Sequence, residues 1–115
     1  MLSIHKTING QMTKLDKVED GCWVNLTYPT EDEMSTVTAL LGIDPGFLRA
    51  ALDEEETSRI DTEDGQTLII IDLPSVEKGE AVVYSTLPLG IIVAEKCIIT
   101  VCLKETPVIR DFQDG

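Results

Sequence analysis

Carboxylates are the side chains of this sequence whose number and spacing could support chemistry. Between Asp53 and Asp64 the chain has seven acidic residues and one base, Arg59. Hard divalent cations bind several carboxylates together with water molecules, so this segment is a candidate for a loose cation site. A solvated acidic loop explains the same composition. An EF-hand is excluded, because the segment lacks the alternate acids, the central glycine and the closing glutamate of that loop.

The other reactive side chains are three cysteines and a single histidine, His5. Cys97 and Cys102 lie in an apolar segment, as buried thiols often do, and Cys22 stands apart from them. An odd number of cysteines without a CxxC motif predicts a reducing compartment, with neither a zinc site nor a disulfide framework. The sequence places no metal-binding or acid–base partner near His5, so we expect it to be structural or exposed.

The sequence contains no GxGxxG, P-loop, HExxH or GxSxG motif. Nothing distinguishes one carboxylate as a general acid and another as a base. We therefore predict that the chain is not an enzyme. Its net charge of −12 repels nucleic-acid phosphates and attracts cations, so we expect no nucleic-acid partner.

Length and composition predict one globular domain over residues 1–115. The chain is 43 % hydrophobic but only 4 % aromatic, which indicates an aliphatic core. It opens without a signal peptide, and no segment approaches the ~18 apolar residues of a membrane-spanning helix. As given, the chain is expected to be soluble and cytoplasmic.

Two helices are predicted before the acidic segment. In the first, Thr30 and Glu33 form a capping box and Gly42 ends the helix. Its expected apolar stripe consists of Met34, Val37, Leu40 and Leu41. The second helix starts with Asp44 as N-cap and Pro45 at its first position. Its expected apolar face consists of Phe47, Leu48, Ala51 and Leu52.

The second helix ends in a run of acids, residues 53–56. Negative charge at a helix C-terminus opposes the helix dipole by ~0.3–1 kcal/mol for each acid. Since local rules of this kind are often broken at functional sites, this helix end is of interest for function.

Strands are predicted for the rest of the chain. Asn9-Gly10 and Glu63-Asp64-Gly65 indicate hairpin turns, and residues 22–26 a strand. Four β-branched blocks follow, separated by segments that include Pro74 and Pro88. These blocks are residues 68–71, 81–84, 90–93 and 97–103. Their short connections favour antiparallel neighbours.

Several of these strands are apolar at both parities, which predicts a sheet covered on both faces. Only the two helices precede it, and after it Pro107 could open one more helix with Val108, Ile109 and Phe112 facing inward. We therefore expect an α+β fold with a mixed, largely antiparallel sheet, two helices on one face, and the other face short of cover. Such a chain is either part of a longer protein or covered by a partner.

Several short segments of this chain occur in the same order and at similar spacing in a known family. They are Trp23-Val24-Asn25-Leu26, Pro29-Thr30 with Glu33, Leu40-Leu41-Gly42-Ile43 with Pro45, Leu52-Asp53-Glu54, Arg59-Ile60, Leu68-Ile69-Ile70-Ile71 with Pro74, Leu87-Pro88-Leu89-Gly90-Ile91-Ile92, and Ile98-Ile99-Thr100-Val101. From Cys22 to Pro107 the chain thus resembles the N-terminal cytoplasmic domain of CorA-type magnesium and divalent-cation channels.

The resemblance implies a three-layer αβα domain whose second helical layer comes from residues after Gly115. It implies a parent chain with a long stalk helix and two membrane-spanning helices, the first ending in Gly-Met-Asn. It also implies a homopentamer in which the soluble domains form a cytoplasmic funnel on the inner side of the cell membrane. The expected function is that of a regulatory funnel domain in a channel for magnesium or other divalent metal ions.

The resemblance further implies a regulatory site for Mg²⁺ or Co²⁺ between subunits, with no tightly bound cofactor. Ala50 stands where that family has a key acid, and the nearby Asp53, Glu54 and Glu56 are the candidate ligands in its place. The alternative hypothesis is a stand-alone soluble interaction module whose open sheet face binds a partner protein, with no transport role.

Overall fold

The computed structural model describes residues 1–52, 59–63, 65–77, 83–103, 109 and 113. Within these residues seven strands form a sheet in the spatial order β2-β1-β3-β7-β6-β5-β4. The strands are β1 (Leu2–Ile8), β2 (Gln11–Leu15), β3 (Cys22–Thr27), β4 (Arg59–Glu63), β5 (Gln66–Glu77), β6 (Val83–Val93) and β7 (Cys97–Cys102). The helices α1 (Glu31–Leu41) and α2 (Pro45–Ala51) lie between β3 and β4 in the chain.

Five of the six strand pairs are antiparallel, and β3 pairs with β7 in parallel from Cys22↔Cys97 to Thr27↔Cys102. A parallel pair needs a long crossover connection, which here runs through both helices and three further strands. The mixed, largely antiparallel sheet predicted from the sequence is confirmed.

Tight turns fix two of the hairpins. Asn9 and Gly10 both have positive φ, 54° and 79°, the conformation of a type I′ turn between β1 and β2. Gly65, with φ 78°, connects β4 to β5. Both turns lie where the sequence predicts them, because Asn-Gly and Asp-Gly carry the required backbone preference locally.

Of the four apolar strands predicted after residue 66, residues 68–71 lie in β5 and residues 97–102 form β7, but the breaks predicted at Pro74 and Pro88 were wrong, because β5 and β6 run through them. β5 and β6 form one long hairpin that is paired from Thr67↔Val93 to Glu77↔Val83. Both prolines lie inside strands, Pro88 in β6 and Pro74 in β5. Each lies beyond the residues at which its strand pairs with its second neighbour, β7 or β4. At these positions the strand pairs with only one neighbour. A proline, which lacks the N–H of a ladder hydrogen bond, is therefore tolerated there.

The main core lies between the helices and one face of the sheet. Sheet residues such as Val24, Leu68, Ile92 and Ile99 are fully buried there. The helices contribute the buried residues Val37, Ile43, Phe47, Leu48 and Ala51. The predicted apolar face of α2 is confirmed, with Leu52 partly buried against the core.

The predicted stripe of α1 was wrong at Leu40, which is 65 % exposed. Val37 is buried, and Met34 and Leu41 pack against the core at its edge. At 3.6 residues per turn, Leu40 lies about 60° from Val37 around the helix, on the side away from Met34 and Leu41. The buried stripe is therefore narrower than the apolar sequence pattern.

Candidate regulatory site and interaction surface

The N-terminus of α1 is fixed by the predicted capping box. The Thr30 hydroxyl accepts a hydrogen bond from the Glu33 amide at 3.1 Å, and the Glu33 carboxylate accepts one from the Thr30 amide at 2.9 Å. The Met1 ammonium group lies 3.1 Å from the same carboxylate. The hydrogen bond from the Thr30 backbone, aided by the Met1 charge, holds the pKa of Glu33 below its ordinary value. Glu33 thus has a structural role.

Gln66 connects the two helices to the sheet. Its side-chain amide donates to the Gly42 carbonyl at 2.6 Å, and its oxygen accepts from the Asp44 amide at 3.0 Å. The Asp44 carboxylate in turn accepts from the Gly46 amide at 2.8 Å, as predicted for an N-cap. The role of Gln66 was missed by sequence analysis, because its partners are 22 and 24 residues away and no local pattern indicates them.

α2 lies directly on the sheet at Gly90. A Cβ atom at residue 90 would lie only 2.3 Å from the Cβ atom of Ala51. Such close approach of backbones requires glycine on the strand and a small residue on the helix. The end of α2 is therefore held at a fixed position over β6 and β7.

The candidate ligands Asp53, Glu54 and Glu56 follow this helix end and lie outside the described residues. Ala50 is partly buried at the edge of the core, and Arg49 provides the basic residue of the last helical turn. Among the described residues, no group of three or more His, Cys, Asp or Glu side chains could hold a metal ion. The acidic site stays a prediction.

The sheet face opposite the helices carries a buried polar network near its centre. The Trp23 indole N–H donates to the Thr100 hydroxyl at 2.8 Å, and that hydroxyl donates to the Asn25 amide oxygen at 2.8 Å. The Asn25 amide nitrogen donates to the Thr27 hydroxyl at 3.0 Å. Every buried side-chain polar atom in the described part of the chain has a partner, so the network is fully satisfied.

His5 lies beside this network and is buried. Its Nε2 atom is 3.1 Å from the Ser3 hydroxyl, and its ring centroid is 5.1 Å from that of Trp23. Burial, with a smaller contribution from the positive charge of Lys14, lowers the pKa of His5 from 6.5. A structural histidine was one of the two roles expected from the sequence.

Ile109 and Gln113, which lie in the segment where a helix is predicted after Pro107, cover part of this second face. Ile109 is helical and buried against Leu73, Leu87, Leu89 and Cys102. Gln113, also helical, donates a long hydrogen bond of 3.5 Å to Ser3. Ile109 therefore faces inward as predicted, while Val108 and Phe112 lie outside the described residues.

The rest of the second face is apolar and open among the described residues. Ile98 and Val93 are neighbours on β7 and β6 and are 46 % and 40 % exposed. Ile60, which is 73 % exposed, and the partly buried Ile69 and Ile91 form an adjacent row across β4, β5 and β6. We call these five residues the open patch. Contiguous exposed apolar areas of this kind are typical of surfaces that contact another chain or segment.

Comparison with known proteins identifies the class to which this α+β domain belongs. The family model for CorA-like Mg²⁺ transporter proteins matches residues 18–114. The chain belongs to this family. No protein with a curated description matches it. In the part of the chain that the structure describes, no helix is long and apolar enough to span a membrane.

Several solved structures share the fold of this chain. The complete CorA magnesium transporter of Methanocaldococcus jannaschii superposes with a TM-score of 0.77 at 21 % identity, over 97 % of this chain and 35 % of that one. The soluble domain of the same protein gives 0.77 and 22 %, over 97 % and 44 %. The ZntB cytoplasmic domain of Vibrio parahaemolyticus gives 0.68 and 12 %, over 95 % and 46 %. The chain thus spans less than half the length of each.

Proposed function

We propose that this chain is the cytoplasmic regulatory domain of a CorA-like channel that transports magnesium or other divalent metal ions. The observation that carries the proposal is the superposition of almost the whole chain on the soluble domain of a CorA magnesium transporter. The family match over residues 18–114 supports it. In the full-length protein the domain would form a homopentameric funnel with its copies, attached to the membrane through segments outside this sequence.

We further propose that Asp53, Glu54 and Glu56 bind a regulatory Mg²⁺ or Co²⁺ ion between neighbouring subunits. The contact of Ala51 with Gly90 fixes the helix that precedes these acids, so the acids follow a rigid support. Each subunit fragment carries a charge of −12, and a bound cation would screen the repulsion between subunits. Cation binding would then favour the closed funnel, and cation loss would loosen it.

The test is a full-length channel in which Asp53, Glu54 and Glu56 are replaced together by alanine. We expect ion flux in this variant to lose its inhibition by Mg²⁺. A matched control replaces three exposed acids outside residues 53–64, namely Asp16, Asp20 and Glu95, and should keep that inhibition. Unchanged Mg²⁺ sensitivity in the first variant would contradict the regulatory site, and equal loss in both variants would indicate a general charge effect.

The open patch supports the proposal that residues after Gly115 form a second helical layer on the sheet. The same patch supports the alternative function, a stand-alone module that binds a partner protein. Sequencing the parent gene downstream of the codon for Gly115 would distinguish the channel domain from the stand-alone module. A long helical stretch followed by two apolar segments of ~20 residues, with Gly-Met-Asn after the first, would support the channel. A stop codon close to Gly115 would favour the module.

A further inference from the structure

The strand β4 forms one edge of the sheet in the described part of the chain. It is the last strand in the spatial order there, and its strand partner is β5. All five of its residues are exposed, and Ile60 is 73 % exposed. The backbone N–H and C=O groups along such an edge can pair with a strand of another chain. β4 is therefore a candidate surface for the addition of a strand.

The side chains of β4 divide between the two faces of the sheet. Ile60 belongs to the open patch, on the face away from the helices. Arg59 and Asp61 alternate with Ile60 along the strand and therefore lie on the helix side, opposite the core residues Ile70 and Leu68. One face of this edge is thus apolar, and the other carries charges of both signs.

A second copy of β4 fits this edge in few registers. A two-fold axis perpendicular to the sheet makes the two strands antiparallel and keeps both helix layers on one face. Residues directly opposite each other then share a face, so odd-numbered residues meet odd-numbered ones. Alignment on Arg59, Asp61 or Glu63 places that charge opposite its own copy, and alignment on Thr62 places Asp61 opposite Glu63. Like charges directly opposite each other are unfavourable.

Alignment on Ile60 gives a self-complementary contact. Ile60 then meets Ile60 of the second copy on the apolar face. On the helix side, Arg59 of each copy meets Asp61 of the other, so two ion pairs form. Apolar pairs and pairs of opposite charge both stabilise an antiparallel ladder. The charge pattern of β4 therefore favours one occupant, a second copy of this chain, in one register.

We propose that β4 forms a two-fold, edge-to-edge contact between two copies of this chain, centred on Ile60. The contact joins two seven-stranded sheets into one continuous sheet. A two-fold contact uses the same surface on both copies, whereas a five-membered ring is closed by head-to-tail contacts. The proposal therefore does not rest on the funnel or on the cation site proposed above.

The overall charge of the chain opposes this contact and limits its strength. Each copy carries a net charge of −12. At physiological salt, exposed charges more than about 8 Å apart are largely screened, so the pairs within the edge decide the register. A contact along one five-residue strand is at the weak end of protein interfaces. We therefore expect a dissociation constant of about 0.1–1 mM.

The first test measures self-association of the 115-residue chain up to about 2 mM, by amide NMR and translational diffusion. The signals of residues 59–63 should shift with concentration. Ile60→Lys removes the central apolar pair and places two lysines opposite each other, so it should weaken the dimer at least about tenfold. The matched control is Met12→Lys on β2, the other edge of the described sheet, and it should leave the dimer unchanged.

Charge reversal tests the register. Arg59→Asp and Asp61→Arg each place like charges opposite each other at two symmetric positions, so each should weaken the dimer at least about tenfold. The double variant restores both ion pairs with their signs exchanged and should associate like the wild-type chain. An equimolar mixture of the two single variants should also associate, because each supplies the charge that the other needs.

The substituted residues of β4 are exposed, so the variants should fold, and a dispersed amide spectrum checks this. A chain that stays monomeric at about 2 mM would overturn the proposal. A dimer that survives Ile60→Lys, or that Met12→Lys abolishes, would overturn it as well, because the contact would then lie elsewhere. A double charge variant that associates no better than the single variants would exclude the proposed register.

Discussion

The need for glycine at residue 90 comes from the position of that residue in the fold. It lies under α2, where an added Cβ atom would meet the Cβ of Ala51 at 2.3 Å. Neither residue is unusual in the sequence, and neither indicates the contact. The absence of a side chain at Gly90 and the single methyl group of Ala51 set the distance between helix and strand, and therefore the position of the helix end that precedes the acidic segment.

Gly90→Ala should destabilise the domain by about 1–3 kcal/mol, the usual cost of overpacking. Urea unfolding measures this loss. Ala51→Gly in the same chain removes the clashing methyl group, so the double variant should lose less stability than the two single changes added together. If the two losses of stability simply add, the contact with Ala51 is not the reason that residue 90 must be glycine.

His5 should make stability depend on pH between about 5 and 7.5. Its folded pKa lies below 6.5, so the unfolded chain takes up the proton first, and stability is lost as the pH falls below 6.5. His5→Phe keeps an aromatic ring beside Trp23 and removes the titration. Urea unfolding at the two ends of this pH range should show that the free energy of unfolding depends less on pH in that variant. An equal dependence would mean that another group titrates in this window.

The helices and turns are the elements that the sequence predicts best. The capping box of Thr30 and Glu33, the Asp44 N-cap and the Asn9-Gly10 turn are all set by residues within three positions of each other. Interactions between distant segments are predicted poorly. Whether Pro88 ends a strand depends on where β7 stops pairing, and local sequence does not contain that information. The candidate metal ligands Asp53, Glu54 and Glu56 stay a prediction, because they lie outside the described residues.

Gln66 links elements, so its substitution should affect how α1 and α2 join the sheet. Gln66→Ala removes hydrogen bonds to Gly42 and Asp44 and should cost about 1–2 kcal/mol. Gln11→Ala, at an exposed position on β2, is the matched control and should change little. Thermal or urea unfolding compares the two. An equal loss of stability in the two variants would mean that the hydrogen bonds of Gln66 do not stabilise the fold.

For the whole molecule, the open patch predicts different effects in the short and the full-length chain. Val93 and Ile98 are already half exposed, so replacing both by lysine should change the stability of the 115-residue chain by no more than about 0.5 kcal/mol per substitution. If residues after Gly115 form the proposed second layer, the same change should destabilise the soluble domain of the full-length protein, because lysine would be buried under that layer.

Unfolding of both proteins provides the comparison for these lysine substitutions. Leu40→Lys is the control, since Leu40 is exposed on the helix side, at 65 %. It should have a small effect in both chains. If the lysines of the patch are equally harmless in the full-length protein, residues after Gly115 do not cover this face.

The parallel pairing of β3 with β7 has a consequence for synthesis on the ribosome. Within the described residues, β1, β2 and β3 join the rest of the sheet only through β7. Their hairpin can form early, but the central sheet cannot close until residue 102 has left the ribosomal exit tunnel. Contacts between such distant segments slow folding. The first 27 residues thus keep apolar side chains exposed until residue 102 is available for pairing, and this interval is when a chaperone would be needed.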